Sequence, residues 1–294
     1  MASSLITRCS ALLAAAGAAL ALAITAGPAA ADEESFEDPE GMAAACSTTP
    51  VADAKVNLDG RYYRIHVPSG ISASGAPLLV AIHGGHASPE RHASESGWNG
   101  FVDAKKAIVV YPRGSKDGET QSDGSPGWGW NADQADVDHI MKVVANVRAK
   151  YCVNPKRIHL AGHSNGGQMA SRAGCVQASF FASGAVYAPA PPPTGCNPAR
   201  AISWGVFASA NDTTVPEPVA YGHLMYWNWE NRPCGNEQND GGTDVKDSNR
   251  WSCDAGTQTL WRVYNGGSHQ WPTGARRTEM MNRMWQLFDA YPRP

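Results

Sequence analysis

The chain has no Cys-x-x-Cys pair, no internal repeat and no three-residue glycine period. Those absences argue against zinc knuckles, dithiol redox motifs, repeat arrays and collagen-like structure. Charge is scarce, with Asp, Glu, Lys and Arg making up 17% of the 294 residues, too little for a disordered chain. Positive charge is not in excess: 24 Lys plus Arg stand against 27 Asp plus Glu, so no basic face for nucleic acid is expected. After the first 31 residues no apolar run approaches a membrane span, and no stable membrane association is expected. What remains is 43% hydrophobic residues with 30 glycines and 20 prolines, a composition suited to a large core and many turns.

The N-terminal stretch reads apart from the fold. Arg8 is the one charge in residues 1–31; a run of mostly Ala and Leu over 11–26 follows, then Gly27-Pro28 and the small residues Ala29-Ala30-Ala31. This is the pattern of a secretory signal peptide cleaved after Ala31, and it predicts a secreted, extracellular protein. Cys9 leaves with it. The remaining Cys46, Cys152, Cys175, Cys196, Cys234 and Cys253 are disulfide candidates in an oxidising destination. Their pairing is open, although Cys234 with Cys253 is favoured because it would close a Gly/Asn/Asp-rich loop. Residues 32–50 are expected to form a flexible leader and 51–294 a single folded domain.

A loosely alternating segment at 61–67 and apolar runs at 77–82, 107–111, 157–161, 184–188, 202–209 and 259–264 read as strands, and the continuous runs suit strands covered on both faces, the habit of parallel sheets. Val137, Ile140, Val144 and Val147 fall on one helical face that Asp133 could cap; Met281, Met284, Trp285 and Phe288 mark a final helix ended before Pro292. Strands alternating with helices predict an α/β fold, mostly parallel sheet with helices on both faces. Residues 189–193 read as a proline-rich loop and 235–249 as a polar loop.

The informative segment is Gly162-His163-Ser164-Asn165-Gly166-Gly167, placed between an apolar strand and a helix-forming stretch. Gly-x-Ser-x-Gly in that context is a nucleophile elbow: the glycines permit a strained turn that exposes the serine hydroxyl at a helix N-terminus. A serine hydroxyl needs a base and a group to orient that base. His163 sits inside the elbow and cannot reach back, and His223 follows no strand, so His269, just beyond the last apolar strand, is the candidate base. Asp212 follows the strand at 202–209 and is the candidate acid, whereas Asp240, Asp244, Asp247 and Asp254 lie in polar surroundings. The Asn165 amide and the Gly85 amide, in His83-Gly84-Gly85-His86 after an early strand, are candidate oxyanion donors. No carboxylate or third histidine accompanies His83 and His86, so no metal and no cofactor is expected.

These stretches, with Gly60-Arg61-Tyr62-Tyr63, Tyr151-Cys152-Val153-Asn154-Pro155 and Gly266 to Pro272, resemble the secreted feruloyl esterases, acetylxylan esterases and poly(3-hydroxybutyrate) depolymerases of the α/β-hydrolase superfamily. The resemblance implies an α/β-hydrolase fold, Ser164, Asp212 and His269 as a triad, and Gly85 and Asn165 at the oxyanion. The cysteine-containing segments look most like the feruloyl esterase branch. One departure is that Ala208-Ser209-Ala210-Asn211 precedes Asp212 where the family has an opening with His-Gly.

Of ten tryptophans, Trp98, Trp128, Trp130, Trp227, Trp229 and Trp271 fall in expected loops, where rings could stack on an aromatic acyl group or a sugar. Trp271 and Trp130 are the candidate substrate contacts. The reading that joins these signals is a monomeric serine esterase acting on hydroxycinnamoyl esters of plant cell-wall polysaccharide. A polyester depolymerase or an acetylxylan esterase is the alternative.

Overall fold

The computed structural model describes residues 46–294, so the expected signal peptide and most of the leader lie outside the described residues. Two residues of the expected leader, Cys46 and Ser47, are tied to the fold. Cys46 is bonded to Cys152, and Ser47 exchanges backbone hydrogen bonds with Lys150 and Cys152 at 2.7 and 3.2 Å, which removes the freedom of that end.

In chain order the elements are β1 (Val51–Leu58), β2 (Arg61–Val67), β3 (Ala76–Ile82), α1 (Pro89–Glu95), α2 (Trp98–Lys105), β4 (Ile108–Pro112), β5 (Lys116–Thr120), β6 (Pro126–Gly129) and α3 (Gln134–Arg148). There follow β7 (Val153–His163), α4 (Asn165–Val176), β8 (Ser183–Tyr187), β9 (Ser203–Ser209), α5 (Glu217–Glu230), β10 (Gln238–Asn239), β11 (Val245–Ser252), β12 (Gln258–Tyr264) and α6 (Gly274–Ala290). One sheet has the order β1-β2-β4-β3-β7-β8-β9-β12-β11-β10. Its six central strands, β4 to β12 in that order, run parallel, while β1, β2, β11 and β10 pair antiparallel at the two edges.

Every residue of β3 is buried, and alternate side chains enter two cores. Leu78, Val80 and Ile82 meet the layer that holds α3, α4 and α5, through Val144, Met169 and Leu224. Leu79 and Ala81 meet the layer of α1, α2 and α6, through Trp98, Val102 and Met284. Period-two alternation with apolar residues on both faces is what a doubly covered strand requires. The Asp133 carboxylate caps α3 by accepting from the Asp136 amide at 3.0 Å, as the spacing suggested.

The stretch 235–249 is not wholly a loop: it supplies β10 and the start of β11 at one edge of the sheet. Its polar side chains found no apolar period because they are paired across the sheet. Asp247 accepts from the Trp261 indole at 2.9 Å, and Ser248 accepts from the buried Arg262 at 2.7 Å. The other two disulfides are Cys175–Cys196 and Cys234–Cys253, the second closing the expected loop.

Burial leaves several histidines neutral. It pushes His83, His139, His163 and His223 down to about 4 and His159 to about 3, against about 6.5 for a free imidazole. The unfolded chain therefore binds more protons than the folded one between those values. Stability from this source is complete above about pH 6.5 and drains away as pH falls towards 4. We expect the urea midpoint of unfolding to drop continuously from pH 7 to pH 4; a midpoint that stays level across that interval would contradict the burial of these rings.

Candidate active site

β7 ends at His163 and α4 begins at Asn165, leaving Ser164 alone at the bend with φ 55° and ψ −122°. No L-residue adopts that conformation without strain, so neighbouring groups must impose it. They do so by close backbone approach. A Cβ on Gly162 would lie 2.4 Å from the Gly166 carbonyl oxygen, and one on Gly166 would lie 2.1 Å from the His83 carbonyl oxygen. Hydrogen bonds complete the clamp: the Ser164 amide donates to Tyr187 at 3.1 Å, and the Ser164 carbonyl accepts from the amides of Gly167, Gln168 and Ala190.

The two other expected partners arrive from separate strand ends. The Ser164 hydroxyl lies 2.8 Å from His269 Nε2, and His269 Nδ1 lies 2.9 Å from Asp212 Oδ2. An ionised carboxylate only accepts, so Nδ1 carries the proton and Nε2 is free to accept from the hydroxyl. The Asp212 side chain is fully buried. Its other oxygen accepts from the amides of Thr214 and Val215 at 2.9 and 2.8 Å, which fixes the carboxylate. A hydroxyl, an imidazole in one tautomer and an oriented carboxylate in series can deprotonate the hydroxyl as it attacks an electrophilic carbon.

The strand β3 delivers His83-Gly84-Gly85-His86 to the same place. A Cβ on Gly84 would sit 3.4 Å from Ser164 Cβ, and one on Gly85 would sit 3.8 Å from Asn165 Cβ. The Gly84-Gly85 turn thus packs against Ser164 and Asn165. His83 is buried, with Nδ1 donating to the Gly84 carbonyl at 2.8 Å and Nε2 accepting from the Gly114 amide at 3.2 Å. His86 points out to solvent, so the two rings do not converge.

An open cleft of about 610 Å³ begins at Ser164 and His269 and is bordered by Gly85, Arg91, Trp271 and Arg277. Trp271 lines it, held by an indole bond to the Ser96 carbonyl at 3.0 Å and set edge-on to His92. Trp130 does not line it and is corrected as a substrate contact: the ring is 3% exposed. Its indole donates to the His83 carbonyl at 3.0 Å, and its backbone amide and carbonyl bond the Asn165 side chain at 2.6 and 3.1 Å. Trp130 therefore braces the elbow against the β3 loop. Trp98 and Trp227 are core residues, and Trp229 is exposed on α5.

Three supporting residues escaped sequence reasoning. His163, expected only as part of the elbow, donates from Nε2 to the His269 carbonyl at 2.7 Å. Burial holds its ring neutral, at about 4. Tyr187, at the end of β8, donates to the Ser268 carbonyl at 2.8 Å. Glu119, on the β5–β6 hairpin, accepts from the His86 amide at 2.5 Å and pairs with Lys116 at 3.0 Å. His163 stood inside the motif and could have been found; Glu119 sits in a segment with no periodic signal.

Residues 61–190 match the family model described as esterase PHB depolymerase. The protein named "Putative esterase NocK" from Nocardia uniformis subsp. tsuyamanensis is 28% identical over 282 residues, covering 84% of this chain and 81% of its own length. Feruloyl esterase B of Piromyces equi is 33% identical over 129 residues, 41% of this chain and 22% of that protein. Among solved structures, an acetyl xylan esterase from Aspergillus awamori superposes with a TM-score of 0.62 at 15% identity, over 82% of this chain and 100% of that one. The structural likeness is one of α/β-hydrolase fold.

The close approach at the elbow makes a direct demand on position 166. We expect Gly166→Ala to cost about 1–3 kcal/mol of stability by overpacking and to lower ester turnover by displacing Ser164. Thermal unfolding and a chromogenic ester assay would measure both, and a variant with parental values in each would contradict the clamp.

Proposed function

We propose that this carboxylic ester hydrolase, residues 61–190 of which match the esterase PHB depolymerase family model, works through an acyl-enzyme formed on Ser164 with His269 and Asp212. The carrying observation is the unbroken chain of contacts from the Ser164 hydroxyl to His269 at 2.8 Å and on to Asp212 at 2.9 Å, at the mouth of a cleft.

His269 takes the Ser164 proton as the oxygen attacks the ester carbonyl. The amides of Gly85 and Asn165 receive the negative charge of the tetrahedral intermediate, each donor contributing on the order of 3 kcal/mol. The imidazolium returns its proton to the departing alcohol, and Asp212 stabilises the cation between those steps. A water molecule, activated by the same ring, then releases the acid.

For the substrate, we infer a hydroxycinnamoyl ester borne on plant cell-wall polysaccharide and met outside the cell. Three disulfides and the pattern of residues 1–31 support export. The similarity to a feruloyl esterase supports the acyl group, and a cleft bordered by Arg91, Ser94, Ser122 and Thr273 suits a hydroxylated alcohol better than an apolar polyester. The family description favours a second reading, depolymerisation of poly(3-hydroxybutyrate).

Two measurements test this proposal. Ser164→Ala should reduce kcat by on the order of 10⁴-fold or more, and full turnover in that variant would overturn the assignment. Parallel rates on methyl ferulate, acetylated xylan and poly(3-hydroxybutyrate) should favour the ferulate; a polyester rate above the other two would replace the first reading with the second.

A further inference from the structure

Among the described residues, one guanidinium in the cleft has no anionic partner. Arg277 borders the same cleft as Ser164, His269 and Trp271. Its described polar side-chain contact is a bond from Nη1 to the Glu95 carbonyl at 3.2 Å, and it belongs to no ion pair among the described residues. Its neighbour Arg276, by contrast, is held by Asp244 at 2.6 Å.

The surrounding charge does not compensate it. Among the described residues Glu95 is the one carboxylate that borders the cleft, and both of its oxygens are engaged by Arg91 Nε, at 3.0 and 3.1 Å. Arg91 also reaches the Ser122 hydroxyl at 2.9 Å. With Arg91 and Glu95 cancelling, Arg277 leaves a net positive wall. Its placement is also unfavourable in isolation: it lies in the first turn of α6, a 17-residue helix with no acidic residue in that turn and no side-chain cap from Thr273. A cation at that end opposes the helix dipole. An anion seated in the cleft would reverse that penalty and form a charge-assisted bond to a planar donor fork.

We propose that Arg277 makes the cleft selective for esters that carry a carboxylate next to the scissile group. This rests on Ser164 being the nucleophile, and it goes beyond that assignment by naming the charge of the preferred substrate. The carboxylate has two possible sources. It belongs either to the acyl half, as in a half-ester of a dicarboxylic acid, or to the alcohol half, as in an esterified uronic acid.

Matched ester pairs separate these. For the acyl half, 4-nitrophenyl butyrate is compared with the mono-4-nitrophenyl ester of glutaric acid. For the alcohol half, the acetyl ester of methyl glucoside is compared with that of methyl glucuronic acid. The quantity read is the ratio of kcat/KM for the charged over the neutral member. The parent protein should favour the charged member of at least one pair, and the pair that responds identifies the source. Arg277→Gln should lower that ratio by on the order of tenfold or more, with Arg277→Lys between the two. Salt at about 0.5 M should compress the parent's ratio in the same direction. Equal ratios in the parent and Arg277→Gln for both pairs would overturn the proposal. Activity persisting in Ser164→Ala would instead sink the nucleophile assignment, so the two failures are distinguishable.

Discussion

A serine at φ 55° and ψ −122° holds a conformation that its own side chain opposes, and everything at this site follows from the groups that force it there. The force is backbone against backbone. Gly162 and Gly166 admit carbonyl oxygens at distances no side chain would tolerate, and a parallel strand on either side of β7 keeps the bend from relaxing. Strain of this kind, about 1–3 kcal/mol for one residue, persists only where the surroundings over-determine it. The buried central strands supply that determination.

The remaining members of the site come from far along the chain and must be held without help from sequence proximity. His269 is 105 residues from Ser164 and 57 from Asp212. Its loop is fastened at three points: by His163 to the His269 carbonyl, by Tyr187 to the Ser268 carbonyl, and by the Trp271 indole to the Ser96 carbonyl. Each such bond contributes only about 1 kcal/mol to stability, yet together they fix an imidazole to within hydrogen-bond tolerance. That precision matters more for rate than for folding, because stabilisation of developing charge depends on donors already in place. Neutral His163 is part of the same economy of protons. A cation there would stand beside the ring that the proposed mechanism makes cationic during turnover.

Most of the parallel sheet and the cluster of Ser164, His269 and Asp212 were legible because both leave a local pattern. A fully buried strand writes itself as a continuous apolar run, and the elbow needs glycine at fixed spacing on either side of Ser164. Strand-end position then ranked His269 above His223, which proves to be buried in α5 against Ser171 and Ala190. What stayed hidden depends on pairing rather than pattern. β1 alternates exposed and half-buried residues without an apolar period, and β11 satisfies its polar side chains through Trp261 and Arg262. Trp130 misled for a related reason: an aromatic ring near glycines looks like a binding surface until its indole is found donating to the His83 carbonyl. Charge in the cleft was equally invisible, since Arg91 and Arg277 lie 186 positions apart and come to border one cleft only in the folded chain.

Covalent trapping bears most directly on the claim that one strained serine is the reacting group. The full chain would be treated with a fluorophosphonate and the modified peptide identified by mass spectrometry. The account predicts a single adduct on Ser164, formed rapidly in the parent and slowed by orders of magnitude in His269→Ala, because the hydroxyl then lacks its base. An adduct on a different serine, or an unmodified Ser164 in the folded protein, would contradict it.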